Sequence, residues 1–515
     1  MKKSFVLLLA LVVLISGTAY YVQGELLKEK DRVHYTENVL YGDKSVVDGV
    51  TVEADLGYAH HLYWNTKYQV GNEPQEEVEY TMYPWAFYRQ TYQNPGSLHF
   101  LHESGLQLEI GIMDYDKEHY YGLEKAIKEL YDKTSPGTEL TATVYLKDYL
   151  EYYSFVMDLE LPENVGGGDY TNYAFRQEWE LREKLAKWEA AGNSNEEAKR
   201  LKKYLEALDI FQEFFRIPVL DTEAYTIGLA KDKNGRVIGM SESSVGGGSS
   251  SGQINIPDSP QVEGMDSFGF NTYSVFEGGD CYFTFDPHTY NGKLVDVSQI
   301  PGGYGIYHFT YDEKGEIDLS NLKMVYPLDV NMEFEDFYID ASGKNILLFT
   351  NDEKYHYMSI IDRKTMTLVD TMNLGNREFY LKNWFYDDFL VTLTDQLMVF
   401  SLGVDGKYTQ AFVVDKQKIE DTMLEITDTQ YFLRYGSSLD WNGEQLLIAN
   451  EVIHDVEYGR VTTCNFYVAV VDATGLVYYA EYDSTLATSI NGKYDSCRFG
   501  IEPGDEDAIT VRWNK

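Results

Sequence analysis

Few residues able to do chemistry stand at the spacings that chemistry requires. His99-Phe-Leu-His102-Glu103 groups two imidazoles and a carboxylate, but it lacks the His-Glu-x-x-His order that sets two imidazoles on one helix face. On a strand the two histidines face opposite sides, so both read as solvated. Gly248-Ser-Ser-Ser-Gly252 matches a nucleophile elbow, which needs a strand before it and a helix after it. Here the match lies within Gly246-Gly-Gly-Ser-Ser-Ser-Gly252 and runs on into Gln-Ile-Asn-Ile-Pro, a low-complexity linker. Asp114-Tyr-Asp116-Lys-Glu118 alternates oxygen ligands as calcium loops do. It has no Gly at the sixth position, however, and Lys125 stands at the twelfth, where an EF-hand needs Glu. Glu333-Phe-Glu335-Asp336 and Asp505-Glu-Asp507 are nonspecific among 83 acids, and solvation is their default. Asp340 and Gly343 have one residue too many between them for a sialidase Asp-box. No P-loop, dinucleotide fingerprint or Cys-x-x-Cys pair is present. The sequence therefore names no catalytic residue, no cofactor and no metal site.

The elements that would position any site are more legible. Asp232-Lys-Asn-Gly, Asp312-Glu-Lys-Gly, Asp362-Arg-Lys-Thr, Asp405-Gly-Lys-Tyr and Asp472-Ala-Thr-Gly each separate two β-type runs, at spacings of 80, 50, 43 and 67 residues. A period near 45 with occasional excess marks a propeller blade carrying loop insertions. Residues 332–373 show the frame best: runs at 337–339, 346–350, 357–361 and 366–372, joined by turns rich in Asp, Asn and Gly, make one four-stranded meander. Residues 266–327, 378–414 and 423–482 fit the same frame. Runs at 140–146 and 149–161 open another blade, completed by 225–229 and 237–240 after a long interruption.

Two strands, 497–501 and 509–513, are left over at the end, and residues 33–71 are expected to supply their partners. Further runs at 80–92 and 106–113 bring the expectation to an all-β propeller of about seven blades, with six or eight open, spanning 25–515. Helical periodicity interrupts the pattern at 122–132 and again within 163–218, where a helical hairpin is predicted. Ser194-Asn-Glu-Glu197 has the form of a capping box for its second helix. This insertion, residues 286–304, 451–462 and 241–264 all fall in loops that open on one face of such a frame, which makes that face the expected binding face.

Residues 1–24 form a signal or anchor segment. Lys2 and Lys3 precede an uncharged stretch over 5–22 at the lower limit for a membrane span, and its strongly apolar part, 5–15, has signal-peptide length. Retention as a single anchor leaves the bulk outside the membrane, and the alternative is secretion after cleavage near Ala19. The net charge of −40 excludes nucleic acid as an expected partner. Forty-four Tyr and 25 Phe suit strands. Of three cysteines, only Cys464 and Cys497 are expected to be able to pair, and all three can equally be buried thiols.

Val39-Leu-Tyr-Gly-Asp-Lys-Ser45, His60-His61-Leu-Tyr-Trp64, Thr143-Val-Tyr-Leu-Lys-Asp148 and Ile361-Asp-Arg-Lys-Thr365 resemble segments of uncharacterised exported, membrane-anchored propeller-like proteins of Gram-positive bacteria. The resemblance implies export and fold and brings no activity. The expectation for function is a noncatalytic extracytoplasmic binding or scaffold module of the cell envelope, engaging a glycan, a peptide or a partner protein. The alternatives are a glycan-cleaving enzyme with a carboxylate pair on the propeller face, and a structural subunit of a membrane complex.

Overall fold

The computed structural model describes residues 33–58, 62–81, 95–103, 115–116, 119–162, 165, 173, 178–245, 247–255, 264–427, 432–434, 436–456, 459–486, 498–500 and 508–514, besides isolated positions between 16 and 24. The leader, the runs at 82–92 and 106–113, and Asp505-Glu-Asp507 lie wholly or mainly outside these residues. Among the described residues no helix is long and apolar enough to cross a membrane. The chain divides into two compact units: a first of Met1–Thr91, Lys354–His356 and Asn373–Lys515, and a second of Tyr92–Glu353 and Tyr357–Met372.

The strands in chain order are β1 (Tyr35–Tyr41), β2 (Val50–Tyr58), β3 (Leu62–Gln69), β4 (Gln75–Thr81), β5 (Ser97–Glu103), β6 (Glu139–Tyr145), β7 (Ser154–Glu160), β8 (Ala224–Lys231), β9 (Val237–Ser244) and β10 (Gly247–Gly252). They continue with β11 (Thr272–Glu277), β12 (Asp280–Phe285), β13 (Gly305–Tyr311), β14 (Ile317–Pro327), β15 (Glu333–Ile339), β16 (Asn345–Asn351), β17 (Tyr355–Asp362) and β18 (Thr367–Asn376). Last come β19 (Lys382–Phe385), β20 (Phe389–Leu393), β21 (Gln396–Leu402), β22 (Tyr408–Asp415), β23 (Ser438–Trp441), β24 (Leu446–Val456), β25 (Gly459–Asp472), β26 (Gly475–Ser484), β27 (Arg498–Phe499) and β28 (Ile509–Trp513).

The protein is all-β in its sheets, and most of these are antiparallel and four-stranded. β11–β14, β15–β18 and β19–β22 are three meanders in plain chain order, the order of a propeller blade. β23–β26 form another, widened by β1, which pairs with β26 from Tyr35 opposite Ser484. β2, β3 and β4 take the terminal strands: β28 runs along β2 from Val50 opposite Trp513 to Ala54 opposite Ile509. Strands from the two ends of the sequence are thus neighbours twice within the first unit.

The Asp turns owe their recurrence to one local bond. Asp232 Oδ1 accepts the N–H of Asn234 and of Arg236, both at 2.8 Å, and Asp312 does the same for Lys314 and Glu316, both at 2.9 Å. Asp362 accepts from Thr365 N (2.7 Å), Asp405 from Lys407 N (3.1 Å) and Asp472 from Thr474 N (2.7 Å). A short carboxylate that satisfies turn N–H groups needs no tertiary help, which is why the pattern is visible in sequence. The N–H bonds hold the Asp312 carboxyl below its usual range, and the Thr365 hydroxyl (2.7 Å), with the Thr365 N–H, does the same for Asp362.

Neighbouring first strands are joined by a second device. Within the second unit, Leu98 N and Phe100 N of β5 donate to Ser274 Oγ (2.8 Å) and Thr272 Oγ1 (2.9 Å) of β11. Within the first, Val511 N and Trp513 N of β28 donate to Ser438 Oγ (3.0 Å) and Asp440 Oδ2 (2.6 Å) of β23. Alternate backbone donors on one strand meet alternate hydroxyl or carboxylate acceptors on the next. Two strands that share no backbone ladder thus satisfy their buried N–H groups through side chains.

One expected blade is built differently. β7 does not join β6 but pairs with β5, Ser97 lying opposite Glu160. The sheet that contains β6 has the order β6-β8-β9-β10, and its outer strand β10 is the Gly247–Gly252 part of the glycine-rich segment, with Gly247 opposite Ser244. The glycine-rich run expected to be a linker is therefore ordered as a strand. Side chains without bulk leave an edge that backbone hydrogen bonds alone can hold.

The helices are α1 (Glu124–Lys133), α2 (Glu178–Ala190), α3 (Glu196–Phe214) and α4 (Lys416–Ile426). The cap of α3 sits one residue later than the sequence reading has it: Asn195, not Ser194, accepts the N–H of Ala198 at 2.8 Å, and Glu197 turns instead to Lys184. We predict that Asn195→Ala costs about 1 kcal/mol in the urea unfolding midpoint while Ser194→Ala costs little. Equal losses at the two positions would return the cap to Ser194. The inner face of α3 is buried, and Tyr204 both donates to Met157 O (2.9 Å) and accepts from Met157 N (3.0 Å) at the edge of β7 away from β5. Helix and strand edge thus satisfy each other.

Candidate functional site

Two pockets and one buried polar cluster collect the residues most able to act. The first pocket, about 600 Å³, belongs to the first unit and is built on the first strands of three sheets, β19, β23 and β28. Trp384, Tyr386 and Trp513 supply its rings, and Asp387, Asp440 and Arg512 its charges. Its frame is fixed: Tyr386 OH accepts Leu439 N (3.0 Å) and stacks on Phe389 at 4.5 Å, while Asp440 holds Trp441 N (2.8 Å) as well as Trp513 N. The indole N–H of Trp513 is buried and has no hydrogen-bond partner. Such a donor costs free energy until something accepts from it. Rings with polar edges beside fixed carboxylates and a guanidinium suit a polyhydroxylated ligand.

The second pocket, about 400 Å³, belongs to the second unit and lies between sheets β11–β14 and β15–β18. Tyr304, Tyr326, Phe334 and Tyr357 meet Asp329 and Asp352 there. Tyr304 closes the 286–304 insertion, and the pocket lies at the end of these sheets opposite the Asp312 and Asp362 turns. Within the sheet of β6 and β8, the segment carrying α2 and α3 likewise leaves opposite the Asp232 turn. In the second unit, therefore, insertions and pocket share the end of the strands that the sequence frame marks for binding.

The polar cluster is closed. Glu223, 1 % exposed, precedes β8 and accepts hydrogen bonds from the hydroxyls of Tyr153 and, at 3.0 Å, Tyr225. Burial pushes its pKa up to about 7, against these bonds and with help from nearby Asp266. Asp266 is itself buried and accepts from Thr289 Oγ1 and from Asn291 N (2.9 Å). A carboxyl sealed from solvent in this way anchors chain segments, and no reacting group reaches it.

The sequence candidates end elsewhere. His99 and His102 do stand on one strand, β5, but His102 is not solvated as expected. Its ring lies 5.3 Å from Tyr153, its Nε2 is buried without a partner, and burial lowers its pKa to about 4. Asp336 of the β15 acidic run is likewise not simply solvated, since it accepts from Phe337 N (2.8 Å) and Tyr338 OH (2.5 Å) and burial raises its pKa. Asp340 caps its own turn through Ser342 Oγ (2.8 Å) and Asn345 Nδ2 (2.7 Å). Asp114 and Glu118 lie outside the described residues. Among the described residues, no group of three His, Cys, Asp or Glu side chains could hold a metal ion. Cys464 is disulfide-bonded and Cys281 is a free, buried thiol. Cys497, the one other cysteine in the chain, is outside the described residues.

No protein-family profile matches the chain, and no curated protein matches it. Among solved structures it is similar to a putative 6-phosphogluconolactonase from Bacteroides uniformis, at 11 % identity and TM-score 0.22, covering 51 % of this chain and 82 % of that one. It is similar to a periplasmic gluconolactonase from Pseudomonas aeruginosa, at 13 % identity and TM-score 0.22, covering 55 % and 83 %. A third is the Swd1 β-propeller domain from Myceliophteria thermophila, at 8 % identity and TM-score 0.23, covering 50 % and 69 %. Likenesses at this level bear on neither ligand nor activity.

Proposed function

We propose that this protein is an extracytoplasmic, noncatalytic glycan-binding module of the cell envelope, folded as a β-propeller of about seven blades and held at the membrane by residues 1–24 or released after Ala19. The disulfide at Cys464 supports an oxidising compartment. The blade order of the meanders and the pairing of β1 and β28 with strands from the other end of the sequence support the propeller. The observation that carries the ligand class is the first-unit pocket, where the rings of Trp384, Tyr386 and Trp513 line one space together with Asp387, Asp440 and Arg512. A sugar presents a C–H face for the rings and hydroxyls for the carboxylates and the guanidinium.

The test is a fluorescence titration of the full chain with chitotetraose and soluble cell-wall glycan fragments, assayed in parallel for new reducing ends. Binding is expected without release, and Trp513→Ala is predicted to weaken it about tenfold or more. Release of reducing ends that disappears in Asp440→Asn would replace this reading with a glycan-cleaving one. Binding that Trp513→Ala leaves unchanged, or no glycan binding at all, would remove the pocket as the site and leave peptide or partner-protein readings.

A further inference from the structure

The second-unit pocket differs from the first in charge. Its floor is apolar, with Phe334 and Leu348 each 4 % exposed. Tyr304, 6 % exposed, belongs to the same floor, and beside it the Thr284 hydroxyl donates to Gly305 O at 2.9 Å. The rim carries Asp329 and Asp352, each fixed in orientation: Asp329 accepts from Asn331 N (2.9 Å) and Nδ2 (2.8 Å), Asp352 from Tyr357 OH (2.8 Å). No lysine, arginine or histidine is among the lining residues.

This combination selects by charge. An anion entering the pocket meets two carboxylates and no cation, in a chain whose net charge is already −40. A neutral polar ligand gains nothing from the charge of the two carboxylates and must leave water for the apolar faces of Phe334 and Leu348. A cation with an apolar tail meets neither obstacle, since carboxylates and the faces of tyrosine rings both attract an ammonium, and the tail covers the floor. We propose that this pocket binds an organic ammonium ion, its charged head at Asp329 and Asp352 and its apolar tail over Phe334 and Leu348. Aromatic walls with acidic rims recur wherever amines are recognised by side chains alone, because the two attractions act on the same head group from different sides. The proposal is independent of the glycan reading, which concerns the other unit.

The probe is phenethylammonium, compared by calorimetric titration of the full chain with phenylethanol and phenylacetate, which keep the ring and change only the charge. Phenethylammonium is expected to bind at least about fivefold tighter than either, and more weakly as salt is raised. Asp329→Asn and Asp352→Asn each weaken it about threefold or more, and the double variant abolishes the preference over phenylethanol. Asparagine keeps an acceptor for Tyr357 or Asn331, so the unfolding midpoint is expected to stay put and to separate loss of charge from loss of fold. Trp513→Ala leaves this titration unchanged. Equal binding of the three probes, or a double variant that still prefers the ammonium, overturns the proposal.

Discussion

Phe215→Ala is expected to lower the urea unfolding midpoint by about 1–2 M, the equivalent of about 3–5 kcal/mol for a large core aromatic removed without refilling. Phe215 ends α3 and is fully buried. Its ring lies 4.8 Å from Tyr307 and 4.9 Å from Phe214, with Phe100 at 5.7 Å and Phe283 and Phe285 both at 5.8 Å. The Tyr307 contact is edge to face at 90° and the Phe285 contact at 86°, the orientation that sets ring hydrogens against a neighbour's π face. Because all of these partners except Phe214 come from β5, β12 and β13, those four cannot move into the vacancy without breaking their own sheet pairing. A loss below about 1 kcal/mol would mean that the helical segment rides on the surface as a separable lid, contrary to its place in the core.

How far the fold could be read from the sequence follows from how local each signal is. The Asp turns were legible because an Asx bond involves residues two to four apart and needs nothing else. The meanders followed, since each hairpin joins strands adjacent in sequence. β7 was assigned to the wrong sheet because alternation in 149–161 says that a strand exists but not which edge it will find, and the edge of β5 lies more than 50 residues upstream. α4 escaped notice although Asp415 caps it and Ile419 and Met423 stand one turn apart, because two buried side chains make too thin a stripe to separate from a strand. The pockets had no sequence signature at all. Trp384, Asp440 and Trp513 belong to three sheets and come together only when first strands converge. In the second unit the 286–304 insertion and the pocket do lie at one end of the strands, a property of the frame rather than of any residue.

The second large effect is a pH dependence of stability centred on Glu223. Burial raises its folded pKa to about 7, from an ordinary glutamate value near 4.5. Below pH 4.5 the carboxyl is neutral in both states, and the buried network is fully favourable. Between pH 4.5 and 7 the unfolded chain releases this proton while the folded one retains it, so stability falls as pH rises, and above the folded pKa the loss is complete. At about 1.4 kcal/mol per pH unit the window amounts to about 3 kcal/mol. The direction is opposite to that of a salt-bridged carboxylate, and Asp312 and Asp362, with lowered values, pull the other way at more acid pH. Glu223→Gln isolates the effect, because at every pH it keeps a neutral acceptor for one of the two tyrosine hydroxyls and offers the other an N–H donor, while all other groups titrate as before. We predict that the unfolding free energy of the wild type, minus that of Glu223→Gln, falls by about 3 kcal/mol between pH 4.5 and 7.5. Parallel curves would show that the two tyrosine hydroxyls and the Phe268 N–H hold Glu223 ionised throughout, their bonds outweighing its burial.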